Sequence, residues 1–256
     1  MENHIVGESA RTMRSIARQA LEGNWKKIAI GYAIYYILSS LIPAVLDSYF
    51  FYTETIEVAG EQFAFNVGKF SGIYDVVLSG AFQLGFVVFF LSFLRTRVVR
   101  YSNLFEGFNH FVKALALYIL YSLIVALWSL LFIIPGIVAI FKYSQAFYIL
   151  ADHPEYSPWE CLNESKRLMY GNKEHLFMFE FSYIGWMFIG LLPQNLFIQM
   201  TNIESVPLFM LIQFITAIPA FFAYAYFYTG NAVFYDLLIE KLRATPKETV
   251  DNYETY

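Results

Sequence analysis

Two ionisable side chains interrupt the long apolar parts of this 256-residue sequence. Lys142 follows 28 consecutive residues without a charge, and Glu180 lies in a later apolar run. A charge at the centre of a bilayer costs from about 3 to more than 10 kcal/mol, so a partner or water is expected beside it. If these runs cross a membrane, the residue types predict an intramembrane polar site in which Lys142 and Glu180 pair or line a cavity, together with Tyr143, Ser144 and Gln145.

An alternative arrangement needs no such site. The Lys142 side chain can extend to the membrane surface along its own apolar stem, and Glu180 can reach the headgroups. Replacing Lys142 with Met separates the two arrangements, because unchanged folding and an unchanged cellular phenotype would dismiss a polar centre.

The remaining reactive residues show no spacing typical of catalysis or metal binding. The four histidines are not paired at ligand spacing, and Cys161 is the single cysteine, so neither a zinc site built on Cys pairs nor an internal disulfide is expected. The sequence has no Gly-x-Ser-x-Gly turn and no glycine-rich phosphate loop. We therefore assign no catalytic residue, no metal ligand and no cofactor, although a site assembled across several helices stays open.

Composition indicates which elements must position these residues. Apolar residues make up 58% of the chain and charged residues 15%, against roughly 25% charged in a soluble domain, which argues against a soluble enzyme. A helix needs roughly 20 residues to cross the bilayer core. Five stretches of about that length or more carry no charge: 28–46, 76–94, 114–141, 181–203 and 205–235.

The distribution of Lys and Arg predicts how the chain is threaded, because cytoplasmic loops carry an excess of both. With a cytoplasmic N-terminus, 15 of the 17 basic residues face the cytoplasm, Lys69 faces outward and Lys142 lies in the membrane. The number of crossings between 114 and 151 must then be even. Two short spans that meet at Pro135-Gly136 satisfy this, and a re-entrant segment at 137–151 is the alternative.

The predicted fold is therefore an all-α, polytopic membrane protein with six transmembrane helices and both termini in the cytoplasm. A kink is expected at Pro219, and the runs on either side of Gly60 could form a small hairpin in the outward loop. The predicted segments are a cytoplasmic amphipathic segment at 1–27, spans at about 28–46, 76–94, 114–134, 137–151, 176–198 and 208–232, a small extracellular loop at 48–75, and a cytoplasmic tail at 236–256.

A similar short passage precedes each outward span, which divides the chain into three helical hairpins. Each passage has a Gly near an Asn, at Gly23, Gly107 and Gly171, and a basic residue follows. An interfacial helix is predicted before each Gly, most weakly in the second unit, and Ser157, Pro158 and Glu160 predict a capped start for the third. The basic residues that could face anionic headgroups are Arg11, Arg14, Arg18, Lys166 and Arg167. These helices could equally pack on the cytoplasmic ends of the protein itself.

Several short runs in the central part of the chain form a recognisable pattern. They lie at 143–144, 148–154, 159–160, 165–169, 171–173 and 184–186, with further similarity at 17–21, 23–25 and 232–237. This pattern resembles a bacterial family of integral membrane proteins called domain of unknown function 975. The resemblance implies a multi-span protein of the bacterial plasma membrane with no assigned activity, and it supplies no catalytic residues.

Three classes of function fit these features. The first is a non-enzymatic scaffold, accessory subunit or envelope-stress component that works with a protein partner in the membrane. The alternative is a transporter or flippase for a small or lipid-like molecule, with a polar cavity near Lys142, and the third is a lipid enzyme with an interfacial site. Membrane lipids, with their anionic headgroups at the cytoplasmic face, are the expected partners, and no feature indicates nucleic acid.

Overall fold

The structure is a computed structural model that describes residues 4–58, 61–200 and 205–240. The part of the predicted tail from 241 to 256 lies outside the described residues. The described chain is mainly helical, as predicted. The helices are α1 (Ala10–Leu21), α2 (Trp25–Tyr36), α3 (Ile42–Tyr49), α4 (Ser71–Thr96), α5 (Phe111–Leu131), α6 (Ile133–Tyr143), α7 (Ala146–Asp152), α8 (Pro158–Leu168), α9 (Lys173–Phe181), α10 (Ile184–Met200), α11 (Val206–Thr216) and α12 (Ile218–Leu238).

Four helical segments are long and apolar enough to cross a bilayer: Trp25–Tyr49, Ser71–Thr96, Tyr101–Leu131 and Ile133–Asp152. The first runs through α2 and α3, which a π-helical turn at Ile37–Leu41 joins. Two bent pairs, α9 with α10 and α11 with α12, raise the number to six if each pair is one span. The described part of the chain thus supports four to six spans by length and composition.

A two-stranded antiparallel hairpin occupies the predicted outward loop. Strands β1 (Phe51–Val58) and β2 (Glu61–Gly68) pair from Phe51 opposite Gly68 to Val58 opposite Glu61. Asp47 anchors the base of the hairpin, since its carboxylate accepts the backbone N–H groups of Phe70 and Ser71 at 2.9 and 3.2 Å. The hairpin predicted around Gly60 is therefore present, although its turn falls on residues outside the described ones.

Helix α12 forms the centre of the fold. Every residue from Thr229 to Leu238 is buried, and the helix packs against α1, α2, α4 and α10. Most residues of α12 are apolar, with Thr229, Asn231 and Asp236 as buried polar exceptions, and such a helix suits a position surrounded by other helices. Rings from three helices fill the space beside it: Tyr32 stacks on Tyr224 with centroids 4.9 Å apart, and its edge contact with Phe86 has a centroid distance of 5.9 Å.

The break between the third and fourth predicted spans lies three residues earlier than expected. Phe132 is extended and separates α5 from α6, whereas Pro135 lies in the first turn of α6. The expectation of a turn at Pro135-Gly136 was wrong because a proline in the first helical turn loses no hydrogen bond. A second break at Ser144 and Gln145 separates α6 from α7.

The fifth and sixth predicted spans are both bent. The helix axes of α9 and α10 differ by 43°, where a continuous span was expected, and those of α11 and α12 differ by 51°. The second bend lies at Ala217, two residues before Pro219. The first has no proline at the break. There Arg14 donates to the carbonyl of Ser182 at 2.9 Å, which satisfies a backbone acceptor that the bend leaves outside the helix.

The three Gly-containing passages differ in structure. Gly23 and Gly171 have φ values of 73° and 82° and end α1 and α8, which is the left-handed conformation that glycine favours. Gly107 instead lies inside a 3₁₀ helix at Tyr101–His110 that packs on α4, and an added Cβ would clash with the carbonyl oxygen of Ala81. The second unit therefore uses its glycine for close packing rather than for a turn.

Candidate functional site

Three charged side chains meet where α4, α7 and α12 end side by side. Arg95 lies in the last turn of α4, which Arg97 closes with a φ of 58°. Asp152 is the last residue of α7, and Asp236 lies two residues before the end of α12. We call Arg95, Asp152 and Asp236 the charge cluster.

Every side-chain nitrogen of Arg95 donates a hydrogen bond in this cluster. Nη1 and Nη2 donate to the two carboxylate oxygens of Asp152 at 2.5 and 2.9 Å. Nη2 also donates to Asp236 at 2.6 Å, and Nε donates to the same carboxylate at 3.1 and 3.2 Å. One planar guanidinium therefore bridges two carboxylates in the bidentate geometry that Arg, unlike Lys, can provide.

The cluster is mostly buried. The side chains of Arg95, Asp152 and Asp236 are 24%, 14% and 2% exposed. Desolvating each ion costs several kcal/mol, which close pairing offsets, so the loss of one partner is far more costly than the loss of all three. The cluster therefore fixes how three helix ends meet.

A lysine makes a second connection at the same end of the bundle. Lys113, near the start of α5, donates to the carbonyl oxygens of Pro154 and Glu155 at 2.6 and 3.2 Å. These residues follow Asp152 by two and three positions. The ends of α4, α7 and α12 and the start of α5 consequently lie on one side of the molecule.

The predicted intramembrane site is only partly assembled. Lys142 and Glu180 lie on the neighbouring helices α6 and α9, where Phe141 and Phe177 make a ring contact at 5.7 Å. Among the ion pairs of the described residues, none joins Lys142 to Glu180. The Lys142 ammonium instead lies 5.1 Å from the ring centroid of Tyr143. The role of Lys142 and Glu180 in the membrane stays a prediction.

The other residues of that predicted site form the junction between α6 and α7. The backbone N–H of Gln145 donates to the hydroxyl of Ser165, which in turn donates to the carbonyl of Lys142, at 3.2 and 3.1 Å. The Gln145 side chain donates to the Ser144 hydroxyl at 2.9 Å. Ser165 on α8 thus satisfies backbone groups that the break in the helix leaves open.

The predicted interfacial basic residues divide into two groups. Arg14 and Arg167 bind partners within the protein: Arg14 contacts Ser182, and Arg167 contacts Glu164 at 2.6 and 2.8 Å. The latter pair lowers the pKa of the Glu164 carboxyl. Arg11, Arg18 and Lys166 are exposed.

The amphipathic helices themselves pack on the protein. In α1, Met13, Ala17, Ala20 and Leu21 are buried, and the helix contacts α9 and α12. The capping box predicted for α8 is confirmed, since Ser157 and Glu160 bond reciprocally to each other's backbone N–H groups. Burial raises the pKa of the Cys161 thiol on this helix to about 12.

Sequence reasoning missed the charge cluster, although a signal was present. The threading argument uses Arg95 only as one of the basic residues assigned to the cytoplasm, and Asp152 and Asp236 fall within the runs that carry the family resemblance. Under the predicted threading all three stand at cytoplasmic ends of apolar stretches, so a search for opposite charges at the same level would have paired them. Among the described residues, no group of three or more His, Cys, Asp or Glu side chains could hold a metal ion.

The long apolar helices support the class of multi-pass helical membrane proteins. Comparison with protein families then identifies the particular group: the chain belongs to the family described as protein of unknown function (DUF975), whose model matches residues 8–142 and 133–242. This agrees with the resemblance found in the sequence. No curated protein and no solved structure gives a significant match.

Proposed function

We propose that this protein is a non-enzymatic scaffold or accessory component of the bacterial plasma membrane, with both termini in the cytoplasm. The observation that carries the proposal is the central position of α12, whose residues Thr229–Leu238 are all buried and whose end the charge cluster fixes. A helix whose second half is buried on every side supports a static bundle that presents its outer surface to a protein partner.

Aromatic packing supports the same function. Tyr32, Phe86 and Tyr228 lie on three different helices, with centroid distances of 5.9 Å for Tyr32–Phe86 and 4.6 Å for Phe86–Tyr228. Rings in such edge contacts fill volume and add about 0.5–1.5 kcal/mol per pair. A substrate path between α2, α4 and α12 would have to displace them.

Single cysteines test whether the bundle is closed. In a Cys161→Ser background, Thr229→Cys on α12 is expected to resist a small charged thiol reagent from both sides of the membrane, since Thr229 is fully buried. The matched control, Lys69→Cys beside the outward hairpin, is expected to react readily. Rapid labelling of the Thr229→Cys variant in the folded protein would refute a closed scaffold.

A transporter or flippase is the second candidate, and two observations favour it. Two helix pairs are bent by 43° and 51°, and broken helices form the substrate sites of many transporters. In addition, Lys142 lines an open surface pocket of about 300 Å³ with Trp128, Pro135 and Val138.

The same cysteine background separates the two candidates. A transporter requires Val138→Cys to react with a soluble reagent in a substrate-dependent manner, and it requires Lys142→Met to alter that reaction. A scaffold predicts that the folding and cellular phenotype of Lys142→Met are unchanged and that a stoichiometric membrane protein co-purifies with the wild type.

A further inference from the structure

Two apolar grooves lie on either side of Phe222, in the first half of α12. The first has a volume of about 510 Å³ and runs between α10 and α12, with Trp186 and Ala223 on its walls. The second, of about 490 Å³, runs between α2 and α12 and includes Ala33 and Phe221. Phe222 lines both grooves, and each volume is within the range of about 300–1,000 Å³ typical of ligand sites.

Each groove carries one cation. Arg18 of α1 lines the first groove, and Lys26 of α2 lines the second. Within the described parts of the chain, neither Arg18 nor Lys26 has a hydrogen-bond or ion-pair partner for its side chain. Arg14, which lies on α1 with Arg18, does have one. Both are exposed.

The two grooves adjoin at the start of α2. Trp25 lines the first groove and the next residue, Lys26, lines the second. The ring of Tyr226 lies 5.7 Å from that of Trp25 and 6.4 Å from that of Trp186. Tryptophans and tyrosines are typical of the headgroup level of a membrane, so this end of the grooves matches the depth at which a phospholipid carries its phosphate.

We propose that these residues form a binding site for an anionic phospholipid with two acyl chains. Arg18 and Lys26 bind the phosphate, and one chain lies in each groove, separated by Phe222. The occupant is a lipid rather than a soluble anion because each cation lines a groove whose other lining residues are mostly apolar, and a free phosphate would leave that groove unfilled.

Native mass spectrometry of the detergent-purified protein tests the site. Titration with dioleoylphosphatidylglycerol is expected to show one tight copy per chain, and dioleoylphosphatidylcholine is expected to bind more weakly. Because one cation near an anionic headgroup contributes about 1 kcal/mol, Arg18→Gln and Lys26→Gln should each weaken the tight copy about fivefold, and the double variant about 25-fold.

Matched controls separate this site from general attraction to anionic lipid. Arg11→Gln removes the same charge two turns earlier on α1, and Lys27→Gln removes a charge next to Lys26. Neither residue lines a groove, so each variant should stay within about twofold of the wild type because it leaves the site intact.

Chain length and groove filling provide independent measurements. Lysophosphatidylglycerol, which has one chain, should bind more weakly than the two-chain lipid, and Ala33→Phe should remove that difference by filling the second groove. Equal binding of phosphatidylglycerol and phosphatidylcholine would overturn the proposal, and so would equal losses in the control and groove variants. Equal affinity for the one-chain and two-chain lipids would also overturn it.

Discussion

Removing the arginine of the charge cluster should destabilise the fold more than removing either of its partners. In Arg95→Met, the carboxylates of Asp152 and Asp236, which are 14% and 2% exposed, lose the cation that joins them. The loss of one partner from a buried ion pair costs about 3–5 kcal/mol of unfolding free energy. The three side chains of the cluster are buried enough for a value within this range to be expected. We therefore expect a loss of about 4 kcal/mol in unfolding free energy.

Two further variants show whether this cost arises from uncompensated charge. Asp152→Asn leaves Arg95 paired with Asp236 and should cost about 1.5–3 kcal/mol, the value of a hydrogen bond to a charged group. The triple variant Arg95→Met, Asp152→Asn and Asp236→Asn contains no charge and should recover at least half of the loss seen in Arg95→Met, since removal of a whole buried ionic group is far less costly than removal of one partner.

Titration with sodium dodecyl sulfate in mixed micelles, followed by tryptophan fluorescence, measures these free energies. Arg100→Met is the matched control, because Arg100 is exposed near the same helix end and its loss should cost less than about 0.5 kcal/mol. The reasoning is refuted if the unfolding free energy of Arg95→Met is within about 1 kcal/mol of the wild-type value. It is also refuted if the triple variant is no more stable than Arg95→Met.

Three shorter predictions concern the helices around the cluster. Burial raises the pKa of Cys161 to about 12, so little thiolate is present at pH 8. Cys161 should therefore react with iodoacetamide at that pH roughly 1,000-fold more slowly in the folded chain than in denaturant. Mass spectrometry of the alkylated protein measures this rate, and equal rates in the two states would contradict the burial of the thiol. Ser157→Ala should cost about 1 kcal/mol by removing the cap of α8, and amide hydrogen exchange in the first turn of that helix should accelerate, whereas unchanged exchange would exclude a role for the cap. Gly107→Ala should cost at least about 1–3 kcal/mol because its Cβ would clash with the Ala81 carbonyl, while the control Gly72→Ala, which meets nothing within 4 Å, should be neutral or slightly stabilising in the same detergent titration.

Apolar periodicity and composition were sufficient to predict the helical class. Ser157, Pro158 and Glu160 act within four residues of one another, so their capping geometry could be inferred from local sequence alone. The φ values at Gly23 and Gly171 follow from the same local preferences.

Features that depend on distant contacts could not be inferred in this way. The bend between α9 and α10 has no local signal, and Arg14, 168 residues away in sequence, supplies the donor for the Ser182 carbonyl. The charge cluster likewise joins Arg95 to residues 57 and 141 positions away. The sequence also does not show that Gly107 is needed for close packing on the backbone of α4 rather than for a turn, because this packing depends on the position of α4 in the fold.

The position of α12 has a consequence for the biogenesis of the protein. This helix follows α1, α2, α4 and α10 in sequence and yet packs against all of them, so it leaves the ribosome after each of its neighbours. The contacts that these four helices make with α12 can therefore form only after the last part of the chain has been synthesised. A chain that ends before residue 218 lacks the central helix, and one that ends before residue 236 still lacks the Asp236 carboxylate to which Arg95 donates.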